Sequence, residues 1–248
     1  MEDSLLNKLM NEITKYEIKE EGHKMSHFLC VYKHSCLAIN EHHEYINENQ
    51  KLCIMVASLL HDMDDEKLFN TEDNYNTKTI LNNLNFEKEQ IELICEMINL
   101  VSCKKNKSSD VNEKWKLIPR DSDRLESIGV IGLLRASIYN DTVNRPLFND
   151  IDSIPKNRNE LISKIDVNRY SNYNGTSNSL LGHFFDKIIH IGSINNLKSQ
   201  NFYILGVAAK RNEIMYNIIL NDLHRFENNN DLKNFLLSKL VYDKIDNI

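Results

Sequence analysis

The stretch from Ala57 to Phe69, ASLLHDMDDEKLF, sets the terms for the rest of the chain. It closes a segment, Leu52 to Leu60, that is apolar nearly all round. Such a pattern predicts a buried helix over about 49–62 rather than an amphipathic one on the surface. His61 and Asp62 stand at its end. A carboxylate there is costly unless it is paired or bound to a metal ion. His-Asp is a common dipeptide, so its weight comes from where it sits.

Outward from this segment the periodicity is helical almost everywhere. Leu5, Leu6, Leu9, Ile13 and Tyr16 predict a first helix, which Gly22 interrupts. Ser26 is a good N-cap for a second helix reaching about Asn40. Leu81 and Leu84 mark a short fourth helix, and Ile91 to Val101 a fifth. KKNKSSD, 104–110, reads as an exposed loop. A helix is expected after Asp123, carrying Leu125, Ile128, Ile131, Leu134 and Ile138. Residues 141–178 read as a long loop with at most one helix, near 159–165, and loops of that length are often functional. Helices are then expected at about 177–190, 197–226 and 232–241. No repeat and no strand emerges. The expected fold is all-α, a compact helical bundle forming a single domain over 1–248, with the helices of 177–244 packed on it.

Composition agrees. Seven glycines and three prolines in 248 residues are too few for a protein of many hairpins, and 41% hydrophobic residues suffice for a sizeable core. The net charge of −6 argues against dedicated nucleic-acid binding but not against a small anionic substrate in a locally positive cleft. Five cysteines without a C-x-x-C pair read as reduced thiols. With no basic, apolar leader and no stretch of bilayer length, the expected location is cytoplasmic, away from membranes. The oligomeric state is open between monomer and homodimer.

His61 and Asp62 gain meaning from His27 upstream and Asp121 downstream in IPRDSDRLESIG. Two imidazoles and two carboxylates from three segments make a borderline-to-hard donor set. It suits one Mn²⁺, Fe²⁺, Co²⁺ or Mg²⁺ ion, with Mn²⁺ favoured, better than a structural zinc. No histidine occurs from Met63 to Arg120, so a second ion there would have to rely on carboxylates alone, and a single ion is expected.

These segments resemble those of the HD superfamily of metal-dependent phosphohydrolases. GHKMSHFLCVYKHS (22–35) is similar to the first metal-ligand segment, with His27 in the ligand position. ASLLHDMDDEKLF looks like the segment that names the superfamily. RDSDRLESIGVIGLLRA (120–136) resembles the third segment of the bacterial HD-domain nucleotide pyrophosphohydrolases, with Asp121 as fourth ligand. LGHFFDKIIHIGSI (181–194) and VAAKRNEIMYNIILNDLHRF (207–226) are similar to that branch's C-terminal helices. The first segment departs from the pattern at Lys24 and Cys30, where Asp and Arg are usual. The resemblance implies cleavage of a nucleoside triphosphate to the monophosphate and pyrophosphate. Other HD chemistry, a monophosphatase or phosphodiesterase, and a degenerate nucleotide sensor are the alternatives.

Further candidates are weighed against plainer roles. Asp64, Asp65 and Glu66 read in isolation as a solvated acidic run, but Asp65 or Glu66 beside the ion can orient the attacking water. Lys67, Arg124, Lys187 and Arg211 are candidate phosphate contacts, Arg124 foremost. His183 reads equally as a substrate contact or as an interhelical hydrogen-bonding group. His23 and His34 read mainly as surface or core-edge residues, His42 and His43 as solvated, and Trp115 as core.

Overall fold

The structure, a computed structural model, describes residues 3–16, 25–66, 68–102, 106 and 109–240. Among these there is no strand, and the all-α expectation holds. No helix among them is long and apolar enough to cross a membrane. The chain divides into two compact units, Met1–Asp123 with Lys198–Tyr203, and Arg124–Leu197 with Ile204–Ile248.

The first unit holds α1 (Asp3–Ile13), α2 (Met25–Asn40), α3 (Glu48–Leu60), α4 (Tyr75–Asn83) and α5 (Lys88–Val101). Helix α3 is its axis and packs against both α2 and α5. Its start is fixed by a reciprocal capping box: Gln50 N donates to Asn47 Oδ1 and Asn47 N to Gln50 Oε1, each at 2.9 Å. Cys53, Ile54, Val56, Ala57, Leu59 and Leu60 are all fully buried, as the apolar run predicts. His61 caps the other end.

A 3₁₀ turn, Lys114–Leu117, leads into α6 (Ile118–Leu125), which opens with Pro119 in its first turn, where the missing N–H costs little. The sequence reading begins this helix only after Asp123 and carries it through Ile138. Instead α6 stops at Leu125 and α7 (Gly129–Thr142) begins afresh. Gly129 takes φ +74°, a left-handed conformation that favours glycine. At Gly132 an added Cβ would lie 2.3 Å from the Ser127 carbonyl carbon and oxygen, so only glycine lets α7 pass the turn.

The second unit continues with α8 (Arg158–Ser163) and α9 (Val167–Asn172), two short helices where at most one was expected. Then come α10 (Leu180–His183), which runs on through a π-helical turn, Phe184–Ile188, and Ile189–Ile191. After them lie α11 (Phe202–Asn217), prolonged by a π turn at Ile218–Asp222, and α12 (Asn229–Lys239). α7 packs against α12 and α10. The helix expected from residue 197 starts at Phe202, because the preceding segment is spent on side-chain contacts inside the first unit. Ser199 N donates to Asp121 Oδ2 at 2.7 Å and Asn201 Nδ2 to the Ala38 carbonyl at 2.7 Å. Of the polar stretch 104–110, Ser109 and Asp110 are exposed as expected, and residues 104, 105, 107 and 108 lie outside the described residues.

One buried ion pair braces the α6–α7 turn. Arg211 Nη1 donates to Glu126 Oε1 at 2.9 Å and to the Leu125 carbonyl at 2.6 Å, with both side chains almost wholly buried. Breaking such a pair strands a charge. Glu126→Ala is therefore expected to destabilise the protein by about 3–5 kcal/mol, read as a lowered denaturation midpoint. A loss below about 1 kcal/mol, the level of an exposed pair, would contradict it.

Candidate metal centre

Four side chains from three elements of the first unit converge. His27 comes from α2, His61 and Asp62 from the end of α3, and Asp123 from α6. His61 Nε2 lies 3.2 Å from His27 Nε2 and 3.0 Å from Asp62 Oδ2. His27 Nε2 lies 3.6 Å from Asp62 Oδ2 and 3.3 Å from Asp123 Oδ1, and His61 Nε2 is 3.7 Å from Asp123 Oδ1. Bonds of about 2.1 Å set neighbouring ligand atoms about 3.0 Å apart in an octahedron and about 3.4 Å apart in a tetrahedron. The observed separations are therefore those of donors around a common centre.

The tautomer agrees. His61 Nδ1 lies 2.9 Å from the Ser58 carbonyl, which can only accept, so Nδ1 carries a proton and Nε2 is the ring atom turned to the cluster. Burial works against a charged His61 ring, but the charge and hydrogen bond of Asp62 and the charge of Asp123 outweigh it and push its pKa up to about 9. Burial would raise the Asp123 carboxyl, yet the His27 hydrogen bond and the two imidazole charges hold it at about 2. Protons here do what a divalent cation would do better.

Behind the cluster runs a hydroxyl relay. Ser58 Oγ lies 2.7 Å from Ser35 Oγ, which lies 2.9 Å from Ser122 Oγ, and all three residues are fully buried. The relay joins α3, α2 and α6, the helices that deliver the donors.

No protein-family profile matches the chain. The uncharacterized protein L803 of Acanthamoeba polyphaga mimivirus is 37% identical over 216 residues, 81% of this chain and 88% of that one. Among solved structures, a Lactobacillus plantarum protein aligns with TM-score 0.65 at 18% identity, covering 97% of this chain and 99% of that chain. YpgQ of Bacillus subtilis, crystallised with ADP, aligns with TM-score 0.60 at 18% identity, covering 89% and 96%. A Bacillus thuringiensis HD-superfamily hydrolase aligns with TM-score 0.56 at 20% identity, covering 86% and 94%. The chain belongs to one family with the mimivirus protein, and its fold is the HD-domain fold.

The structure does not bring one expected ligand, Asp121, to the histidines. Asp121 is fully buried, with Oδ1 accepting from Arg120 Nε at 3.0 Å and Oδ2 from Ser199 N at 2.7 Å. The carboxylate brought to the histidines is that of Asp123, which the sequence reading passed over. Two residues along an α-helix turn the side chain by about 200°, so the two aspartates face opposite ways. Asp121 shares its phase with Ile118 and Leu125, which mark the core face. That phase was the available signal, hidden by placing the helix start too late.

The remaining candidates fall as follows. Asp64 caps α4, accepting from Asn76 N and Thr77 N, each at 2.9 Å, and from Thr71 Oγ1. Asp65 is half-buried and Glu66 exposed in the turn just after Asp62. Lys67, His23 and Lys24 lie outside the described residues. His34 is fully buried, with Nδ1 2.7 Å from Tyr203 Oη. In the second unit, Arg124 is buried and donates to the Asn196 carbonyl, and Arg211 is committed to Glu126 as described. Both were expected as phosphate contacts. Here each is held by buried acceptors, as a guanidinium taken from water requires. His183 Nδ1 lies 3.3 Å from Tyr173 Oη, and Lys187 sits half-buried on the π turn.

The geometry separates the two aspartates experimentally. Asp123→Ala is expected to lose the ion held by this cluster with the fold intact. Asp121→Ala is expected to keep the ligands but lose about 3–5 kcal/mol of stability by stranding Arg120. Metal content and denaturation midpoints of the two variants decide it, and the reverse pattern would reinstate Asp121 as the ligand.

A pH dependence follows as well. A bound cation must displace the proton that His61 holds up to about pH 9, so apparent affinity should rise about ten-fold per pH unit below that point and level off above it. Without metal the sign reverses. The raised pKa contributes stability that is complete below the ordinary value of 6.5 and lost as the pH rises through about 9. Calorimetric titrations with Mn²⁺ across pH 6–9 check the first point, and flat affinity would refute it.

Proposed function

We propose that the protein is a metal-dependent phosphohydrolase that cleaves nucleoside triphosphates to the monophosphate and pyrophosphate. The observation that carries this reading is the convergence of His27, His61, Asp62 and Asp123, with donor separations of 3.0–3.7 Å in the pairs given above. The HD-domain fold, shared with a protein crystallised with ADP and with an HD-superfamily hydrolase, supports the choice of substrate class.

These four residues would hold one divalent ion, Mn²⁺ by preference. The ion would supply a positive charge against a phosphoryl oxygen and a water acidic enough to attack at neutral pH. The protein's own part is to turn Nε2 of His61 toward the ion and to fix the donors before substrate arrives. The Ser58 carbonyl does the first for His61. The serine relay does the second by locking α2, α3 and α6 together. Asp65, half-buried three residues after Asp62, is the group we assign to orienting or deprotonating the water, with Glu66 next to it as the alternative. We assign phosphate contacts to Lys67, His183 and Lys187, because a polyphosphate needs several donors to offset its charge.

Incubation with Mn²⁺ and nucleoside tri-, di- and monophosphates, reading pyrophosphate and orthophosphate separately, tests the reading. Pyrophosphate in step with monophosphate is the expected result, with turnover abolished in Asp123→Ala. Orthophosphate alone would move the protein to another HD chemistry, and nucleotide binding without product would make it a sensor. Asp65→Asn is expected to lower kcat by ~10²–10⁴-fold at normal metal content. Unchanged kcat in Asp65→Asn, Glu66→Gln and the double variant would return the acidic turn to a solvated loop.

A further inference from the structure

A second group of donors lies outside the HD cluster, in the connection from α2 to α3. His42 Nε2 is 3.6 Å from Glu44 Oε2, and His43 Nε2 is 3.7 Å from Glu44 Oε1. The two rings lie 4.7 Å apart between centroids. The sequence reading leaves both rings in solvent, but the His42 side chain has no exposure at all. Its Nε2 is buried without a hydrogen-bond partner, since the nearest Glu44 oxygen is out of reach. Such a nitrogen is an uncommon expense in a folded protein and asks for a ligand.

Two further observations favour a cation. The group sits just past the C-terminus of α2, where the helix dipole is negative, and the last turn of α2 carries no basic residue to answer it. The proton arrangement can follow. Asn201 Nδ2 is fastened to the Ala38 carbonyl at 2.7 Å and reaches His42 Nδ1 only loosely, at 3.4 Å. Moving the ring proton to Nδ1 gives up that weak contact and frees Nε2.

We propose that His42, His43 and Glu44 form a second divalent-cation site, separate from the HD cluster. Two imidazoles and a carboxylate suit an ion of borderline softness such as Zn²⁺, Ni²⁺ or Cu²⁺. With His43 and Glu44 about two-fifths exposed, the remaining coordination positions are open to water.

Titration of the chelator-treated full chain with Ni²⁺ tests the site, because nickel favours imidazole over the chain's thiols more than zinc does. The wild type is expected to take two equivalents, and His43→Gln/Glu44→Gln one, with its HD site unaltered. Asp123→Ala should retain only the equivalent held by His42 and His43. In that variant the paramagnetic ion should broaden the His42 and His43 ring signals in NMR spectra. Two equivalents in His43→Gln/Glu44→Gln, or ring signals untouched by Ni²⁺ in Asp123→Ala, would overturn the proposal. A wild type that takes one equivalent, lost in His43→Gln/Glu44→Gln and kept in Asp123→Ala, would instead remove the metal from the HD cluster and leave this site standing.

Discussion

Two imidazoles and two carboxylates held within a few ångströms, mostly away from water, make an arrangement that is unstable without compensation. Carboxylates repel each other, and each loses hydration on burial. Imidazole lone pairs facing one another at 3.2 Å gain nothing unless a proton or cation lies between them. The upward shift of His61 and the downward shift of Asp123 are two readings of the same demand for positive charge. Everything around the cluster serves to hold these groups in place despite that cost: the capped and fully apolar α3, the serine relay, and the Asp121 anchor.

The anchor explains why the chain leaves the first unit and returns. Asp121 accepts from the backbone N–H of Ser199, a residue far along the sequence, while its neighbour Arg120 is buried against it. The segment Lys198–Tyr203 is thereby tied to α6, and Tyr203 and Asn201 fasten it to α2 through His34 and the Ala38 carbonyl. α6 thus has two carboxylates with different work. One fixes the helix from its core side. The other, about 200° around it, is presented to the histidines. Rotating α6 by half a turn would exchange the two and destroy both functions.

Much of this was legible in the sequence, for a reason that also explains what was not. Patterns set by burial survive without coordinates, so the apolar run that ends at His61 predicts both α3 and the placement of the His-Asp pair. Helix phase does not survive an error in the helix start. Reading α6 from after Asp123 hid the fact that Asp121 lines up with Ile118 and Leu125. The signals for the true boundaries were Pro119 at one end and Gly129 with Gly132 at the other, two glycines three residues apart where continuous helix was expected. Arg124 and Arg211 show a different limit. A sequence shows an arginine's charge but not the carbonyl or carboxylate waiting for it in the core.

His42 shows the same limit from the opposite side. Two adjacent histidines in a polar connection look solvated, since nothing local marks one of them for burial. The burial comes from far along the chain. Asn201 ties the returning segment to the end of α2 at the Ala38 carbonyl and brings its amide to within 3.4 Å of the His42 ring. The contact that anchors α6 through Asp121 and Ser199 therefore belongs to the same short segment that reaches His42. A change that loosens Lys198–Tyr203 would act on both groups of donors at once, by moving α6 relative to α2 and by exposing His42. Coupling of that kind needs no ligand path between the two sites, because a single strip of backbone is the shared constraint.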